Sequence, residues 1–397
     1  VAVAGVVFFA VALLASIALH ELGHLLTAKR FGMYASRYFV GMGPTLWSTW
    51  RGETEYGVKA LPIGGFVKIV GMTQLEELDD PRDDARAFWR FPAGQRAVVL
   101  GAGSFMHFVI AIVLLFATLL IFGEETVDTT RVDKVSPCIT DVAGDPCTGK
   151  PPSPAKAAGV LDGDRIVEFE GKHVTSWDDF TTAVRAHAAG PSTLVVLRDG
   201  TRVTLHPVVV RGVREIAEGV KKEVGQIGVA PGERERYSPF TAVPRTAVLT
   251  GSLMKDTVKA LVELPGKVPD VFRSTTSKEP RRAEEGGPVG VVDLGRISGQ
   301  ALASGHVDSL LSMIISLNVF IGLFNLLPLL PLDGGHLAIL GFESARSRIA
   351  KARGRRDPGR VDLRRLMPAM VAFIVVMGSL TVLLLYVSIV NPVQNPF

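Results

Sequence analysis

Four stretches of this chain carry no charged side chain over a length that suits the interior of a bilayer: residues 1–19, 97–122, 309–332 and 367–390. An α-helix rises ~1.5 Å per residue, so about 20 apolar residues cross a ~30 Å hydrocarbon core. The pattern predicts a polytopic α-helical membrane protein with four transmembrane helices, assigned to 1–31, 97–122, 309–334 and 367–390. An even number of spans puts both termini on one side. The first apolar run also has the length of a signal peptide, but no basic segment precedes it and no small-residue cleavage site follows. It is therefore read as a retained span.

Between the spans the periodicity changes. Residues 32–96 read as a β-rich loop: "GETEYGVKALPIGGFVKIVG" (52–71) is strand-like, broken at Pro62 and Gly64-Gly65, and preceded by "YFVGMGP". Such a segment is either a hairpin packed on the helices or a membrane-associated β-hairpin or sheet. Residues 128–232 alternate short apolar runs with turn signals, ending in a hairpin through Asp199-Gly200. The segment 238–308 contains an amphipathic pattern, with Leu253, Val258, Leu261 and Val262 opposite Lys255, Asp256 and Lys259, followed by a polar linker at 273–288. That pattern fits an interfacial helix and a soluble amphipathic helix equally.

Charge supplies the orientation. Mean hydropathy is positive (+0.30) although 21% of residues are charged, so apolar and soluble sequence are segregated. Lys29, Arg30, Arg37, Arg51, Lys59, Lys68, Arg82, Arg86, Arg90 and Arg96 crowd the first loop, and 345–366 is a second basic loop. The positive-inside rule assigns both to the cytoplasm and leaves the long segment 123–308 outside. A pI near 9.1 is then a topology signal, with basic loops facing anionic lipid. No basic patch interleaved with aromatics points to nucleic acid. The two cysteines, Cys138 and Cys147, fall close together in the outside segment, where an oxidising compartment favours a disulfide.

The chemistry begins at the end of the first span, in "SIALHELGHLLTAKR" (16–30). On a helix His20 and His24 are i and i+4 and share a face, with Glu21 flanking it. This is the H-E-x-x-H arrangement: two imidazole nitrogens for zinc and a carboxylate placed to take a proton from water. Ionisable groups inside a span cost about 3 kcal/mol each on insertion scales, which a bound metal would offset. A catalytic zinc needs a third protein ligand. The third span ends in "NLLPLLPLDGGH", where Asp333 is the sole carboxylate and His336 an alternative ligand two glycines further on. The end of the third span and the end of the first lie toward the same face.

Together, HELGH in the first span, the long insert after the second and N-x-x-P…LDGG in the third resemble the site-2 protease family of intramembrane zinc metalloproteases. The likeness is greatest to its actinobacterial regulated-intramembrane-proteolysis members with a single PDZ domain, through "RYFVGMGPTLWSTWRGETEYGVKALPIGGF" and "NLLPLLPLDGGH". Within the insert, "AAGVLDGDRIVEFEGKHV" resembles the core of an α+β PDZ domain, a module that captures chain ends at a sheet edge. The resemblance implies one catalytic Zn2+ held by His20, His24 and Asp333, with Glu21 as general base, and Asn325 holding the substrate backbone. It also implies a β-sheet edge that pairs with the unwound substrate. Two places depart from the family pattern. Pro328 and Pro331 stand three positions apart, and Gly103-Ser104-Phe105-Met106-His107 replaces a Gly-Pro-x-x-Asn motif. A lone membrane histidine usually bonds a neighbouring helix, so His107 is left outside the ligand set.

The implied partner is a single-span membrane protein, such as an anti-sigma factor already shortened by a site-1 protease. The implied location is a bacterial plasma membrane, with the active site near the cytoplasmic face and the PDZ domain outside. Two other readings compete. An intramembrane ion or proton transporter would use the same charged residues, but no inverted repeat is present. A non-catalytic PDZ-bearing scaffold would have no use for Glu21.

Overall fold

The computed structural model describes residues 2–72, 81–126, 130–139, 147, 149–217, 220–274 and 289–393. The chain divides into two compact units, one of residues 1–117 and 243–395, the other of residues 118–242.

The uncharged N-terminal run forms α1 (Ala2–Phe31), ending just after the basic pair Lys29-Arg30. The chain then turns into a long antiparallel hairpin, β1 (Ala35–Arg51) and β2 (Thr54–Ile69), whose register is interrupted repeatedly. The Tyr38 hydroxyl donates to the Ala18 carbonyl at 2.8 Å and the Lys29 ammonium to the Tyr56 hydroxyl at 3.0 Å, tying the hairpin along α1. The second apolar run is α2 (Ala93–Ile121), which begins before the uncharged run and so includes Arg96. Leu25, Met33, Ile69, Val99 and Leu340 share one buried cluster, so α1, β2, α2 and a later helix meet in a common core.

The second unit is a mixed α and β assembly. Its main sheet has the order β6-β5-β8-β9, built from β5 (Arg165–Phe169), β6 (Lys172–His173), β8 (Leu194–Arg198) and β9 (Thr201–Leu205). Smaller ladders join β3 (Glu124–Thr126) to β13 (Glu233–Glu235), β4 (Val132–Val135) to β12 (Val229–Pro231), and β7 (Gly190–Pro191) and β11 (Val220–Gln226) to β10 (Val208–Ala217). Besides the single turn α3 (Pro154–Ala157), one amphipathic helix, α4 (Trp177–Ala186), covers the core. A Ser176–Asp179 capping box starts α4, and its buried face places Phe180 and Val184 on Phe169 and Leu194. Asp164, 1% exposed, is held by two 2.7 Å bonds from Arg198. Cys138 and Cys147 are joined as a disulfide with Cα atoms 5.7 Å apart.

The chain returns through α5 (Pro239–Ser274), which is longer than the amphipathic pattern suggested. Leu253 and Met254 pack beside Ala111, Ile315 and Val319, while Val258 and Val262 stay exposed. The face read from sequence is therefore split between protein and surroundings. Of the expected linker, residues 275–288 lie outside the described residues. Three helices follow: α6 (Val291–Ala303), α7 (Val307–Asn325) and α8 (Asp333–Ala352), then α9 (Met367–Val390). Among the described residues four helical segments are long and apolar enough to cross a membrane: Val3–Phe31, Ala93–Ile121, Val307–Asn325 and Leu363–Val390.

The third of these stops earlier than its apolar run. The uncharged stretch continues to residue 332, yet α7 ends at Asn325 and the chain turns until α8 begins at Asp333. Pro328 and Pro331 cannot donate to a helical ladder, and each clashes with the preceding turn. Asp333 thus opens a new helix, at the N-terminal end whose unpaired amides favour a carboxylate.

Candidate metal centre

His20 and His24 occupy successive turns of α1, with ring centroids 4.8 Å apart and exposures of 8% and 3%. Their Nε2 atoms are separated by 3.2 Å. Asp333 Oδ2 lies 3.3 Å from His20 Nε2 and 3.4 Å from His24 Nε2. A tetrahedral centre with metal–ligand bonds of 2.0–2.1 Å has edges of about 3.3–3.4 Å, so the three atoms outline one face of such a centre. Asp333 Oδ2 is buried without an adequate hydrogen bond among the described residues. Two imidazole nitrogens and a carboxylate oxygen converging on one point fit a zinc ion and leave a fourth position open. No other group of three His, Cys, Asp or Glu side chains among the described residues converges in this way.

The surroundings orient these atoms. His24 Nδ1 faces the Val99 carbonyl at 2.7 Å, which holds the Nδ1–H tautomer and turns the Nε2 lone pair inward. That carbonyl belongs to α2, which crosses α1 closely because both helices carry glycine at the contact. A Cβ on Gly23 would lie 2.6 Å from the Ala102 carbonyl oxygen, and one on Gly103 would lie 2.4 Å from His24 Nε2. Small residues at 23 and 103 are thus a steric requirement of the centre.

Glu21 is partly buried on the same helix. The Val67 backbone N–H of β2 donates to its Oε2 at 2.9 Å, while Oε1 makes no hydrogen bond among the described residues. One carboxylate oxygen is anchored by the hairpin and the other is unbonded among the described residues.

His107 of α2 is 1% exposed and its ring centroid stands 5.0 Å from that of His20. The side-chain amide of Asn318 donates to the Ile314 carbonyl at 2.8 Å, so its Oδ1 accepts from His107 Nδ1 at 2.9 Å. His107 bonds a neighbouring helix and stays outside the converging set. His336 lies one turn beyond Asp333 and lines a separate cavity. Asn325, half-buried at the last turn of α7, makes no side-chain hydrogen bond among the described residues. Sequence reasoning missed the Val67 amide, the Val99 carbonyl and Asn318. Only Asn318 left a trace, as a lone amide in an apolar run.

The sequence profile of peptidase family M50 matches residues 8–358. Zinc metalloprotease Rip1 of Mycobacterium tuberculosis is 39% identical over 99% of this chain and 98% of its own length. Its namesake in Mycolicibacterium smegmatis is 36% identical over 98% of both chains. Metalloprotease MmpA of Caulobacter vibrioides is 32% identical over 85% of both.

Proposed function

The chain belongs to peptidase family M50, and on that premise we propose that it is a zinc-dependent intramembrane endopeptidase of site-2 type, with His20, His24 and Asp333 as ligands and Glu21 as general base. The observation that carries the reading is the triangle of three ligand atoms at 3.2–3.4 Å, beside a carboxylate with one oxygen unbonded among the described residues, within an apolar helix.

Bound at these residues, zinc would polarise the scissile carbonyl and make water acidic enough to lose a proton near neutral pH. Glu21 Oε1 takes the proton of the attacking water and returns it to the leaving amine nitrogen, so one carboxylate serves both halves of the hydrolysis. The Val67 amide keeps Oε2 engaged during this cycle, and the Val99 carbonyl keeps His24 in its ligating tautomer. Asn325, whose side-chain amide makes no hydrogen bond among the described residues, holds the backbone of the substrate. A helix hides its amides, so the substrate is opened and held as an added strand on the edge of the β1–β2 sheet. Exposed Leu46, Trp47 and Trp50 fit a membrane-associated position for that sheet.

The substrate is a single-span membrane protein, such as an anti-sigma factor already cut by a site-1 protease. The segment 128–232 serves as a PDZ domain on the outer side of a bacterial plasma membrane, and the metal centre faces the cytoplasmic side. The basic loops support this orientation.

The test is cleavage of an anti-sigma transmembrane segment by the detergent-purified protein. Wild type cleaves, 1,10-phenanthroline abolishes cleavage and zinc restores it, and Glu21→Gln retains zinc while losing activity. Equal cleavage by wild type and Glu21→Gln would remove Glu21 from the mechanism.

A further inference from the structure

A cavity of about 50 Å³ lies between α2, α8 and the turn that precedes α9, lined among others by Trp89, Arg96, His336, Glu343, Arg360 and Leu363. Its charges do not cancel. Arg96 is partly buried, its Nε is buried without a partner, and its guanidinium makes no ion pair among the described residues. Arg360 rests on the Trp89 ring, 5.2 Å from the centroid, and forms no salt bridge among the described residues. The one carboxylate in the lining, Glu343, already accepts the Val361 N–H at 2.8 Å. Glu343 offsets part of the Arg96 charge, and partly withdrawing a guanidinium that has no direct ion pair is costly. Arg360, though exposed, adds a second positive charge at the same half-open cavity, so the lining holds two guanidinium groups against one carboxylate and suits an anion.

Size and position narrow its chemistry. A water needs roughly 10–15 Å³ of such space, so the cavity takes a group of a few non-hydrogen atoms. Arg96 lies at the start of the candidate span Ala93–Ile121, and Leu363 opens the span Leu363–Val390. Span starts lie at the depth of lipid headgroups, and their free amides add positive potential. Two arginine forks suit the tetrahedral oxygens of phosphate.

We propose that this cavity is a phosphate-binding site, filled by the headgroup of an anionic phospholipid or by free inorganic phosphate. Since α8 carries the lining residues His336 and Glu343 as well as Asp333, and α2 carries both Arg96 and Val99, the bound phosphate lies between the two helices that frame the metal centre. Binding itself does not depend on the peptidase reading.

The test uses the intact, delipidated protein in neutral detergent. Thermal unfolding is followed while inorganic phosphate replaces chloride at constant ionic strength. In parallel, lipid retention is measured by native mass spectrometry with phosphatidylglycerol and with a phosphate-free neutral glycolipid. Wild type and the control Arg348→Gln, which removes an exposed charge of the same basic segment, bind at least one phosphate probe saturably. Arg96→Gln and Arg360→Gln weaken the apparent affinity at least tenfold. Binding of inorganic phosphate identifies the free ion as sufficient; binding of phosphatidylglycerol alone identifies the lipid. Arg360 is exposed, so its variant carries the test if Arg96→Gln fails to fold. The proposal is overturned if neither probe binds saturably, or if both variants bind as wild type does.

Discussion

The backbone N–H of Val67 donates to Glu21 Oε2 at 2.9 Å, so the register of β2 and the orientation of the candidate base are set together. The hairpin has repeated register irregularities, yet this contact pins it where proton transfer would occur. Glu21→Asp draws the carboxylate back by about 1.5 Å, one carbon–carbon bond. A displacement of that order costs about 10²-fold in rate for a positioned group. The expected result is a fall of that size at unchanged zinc content, read by substrate cleavage and elemental analysis. An unchanged rate would mean that Oε1 has no positional role.

Glycine at 103 has a different consequence. Gly103→Ala places a methyl 2.4 Å from His24 Nε2, whereas a Cβ on Gly101, two positions earlier, meets nothing within 4 Å. Gly103→Ala is expected to lose most of its zinc and activity, while Gly101→Ala keeps both. Matching zinc contents in the two variants would show that the α1–α2 crossing is looser than the structure has it.

Asn318 and His107 form a buried pair between α7 and α2. Asn318→Ala leaves a buried imidazole N–H without an acceptor, at a cost of about 1–3 kcal/mol. A double-mutant cycle with His107→Leu, measured by reversible unfolding, is expected to show coupling of about 0.5–3 kcal/mol. Additive effects would exclude the bond.

The hairpin tip is clamped by Arg86, which forms two bonds to Glu53 at 2.7 and 2.8 Å and donates to the Gly32 carbonyl at 3.0 Å. The Arg86 guanidinium holds the Glu53 carboxyl below its ordinary range. A depressed folded value means that the stabilisation is complete above the unfolded carboxylate pKa and is lost as pH falls through the lower folded value. Both side chains are about half exposed, so the contribution stays under about 1 kcal/mol. Amide exchange at Tyr34, whose N–H bonds the Arg86 carbonyl, is expected to lose protection in acid in wild type and to vary less with pH in Glu53→Gln. Identical pH profiles would remove the clamp.

Local pattern was enough for much of this protein. Uncharged runs announce spans because bilayer thickness alone sets their length, and His20 and His24 meet on one face because a helix repeats every 3.6 residues. Those constraints act within one element and need no partner. The remaining features come from elements distant in sequence. The apolar run 309–332 does not show that its helix ends at Asn325. "DGGH" does not show that Asp333 approaches the two imidazoles while His336 faces a separate cavity. Neither the Val67 amide nor the Val99 carbonyl has a residue type that would reveal it, because backbone groups are common to every position. Gly103 reads as an ordinary small residue until α1 is laid against it. Such contacts follow from helix crossings and strand register, which depend on packing across the whole unit.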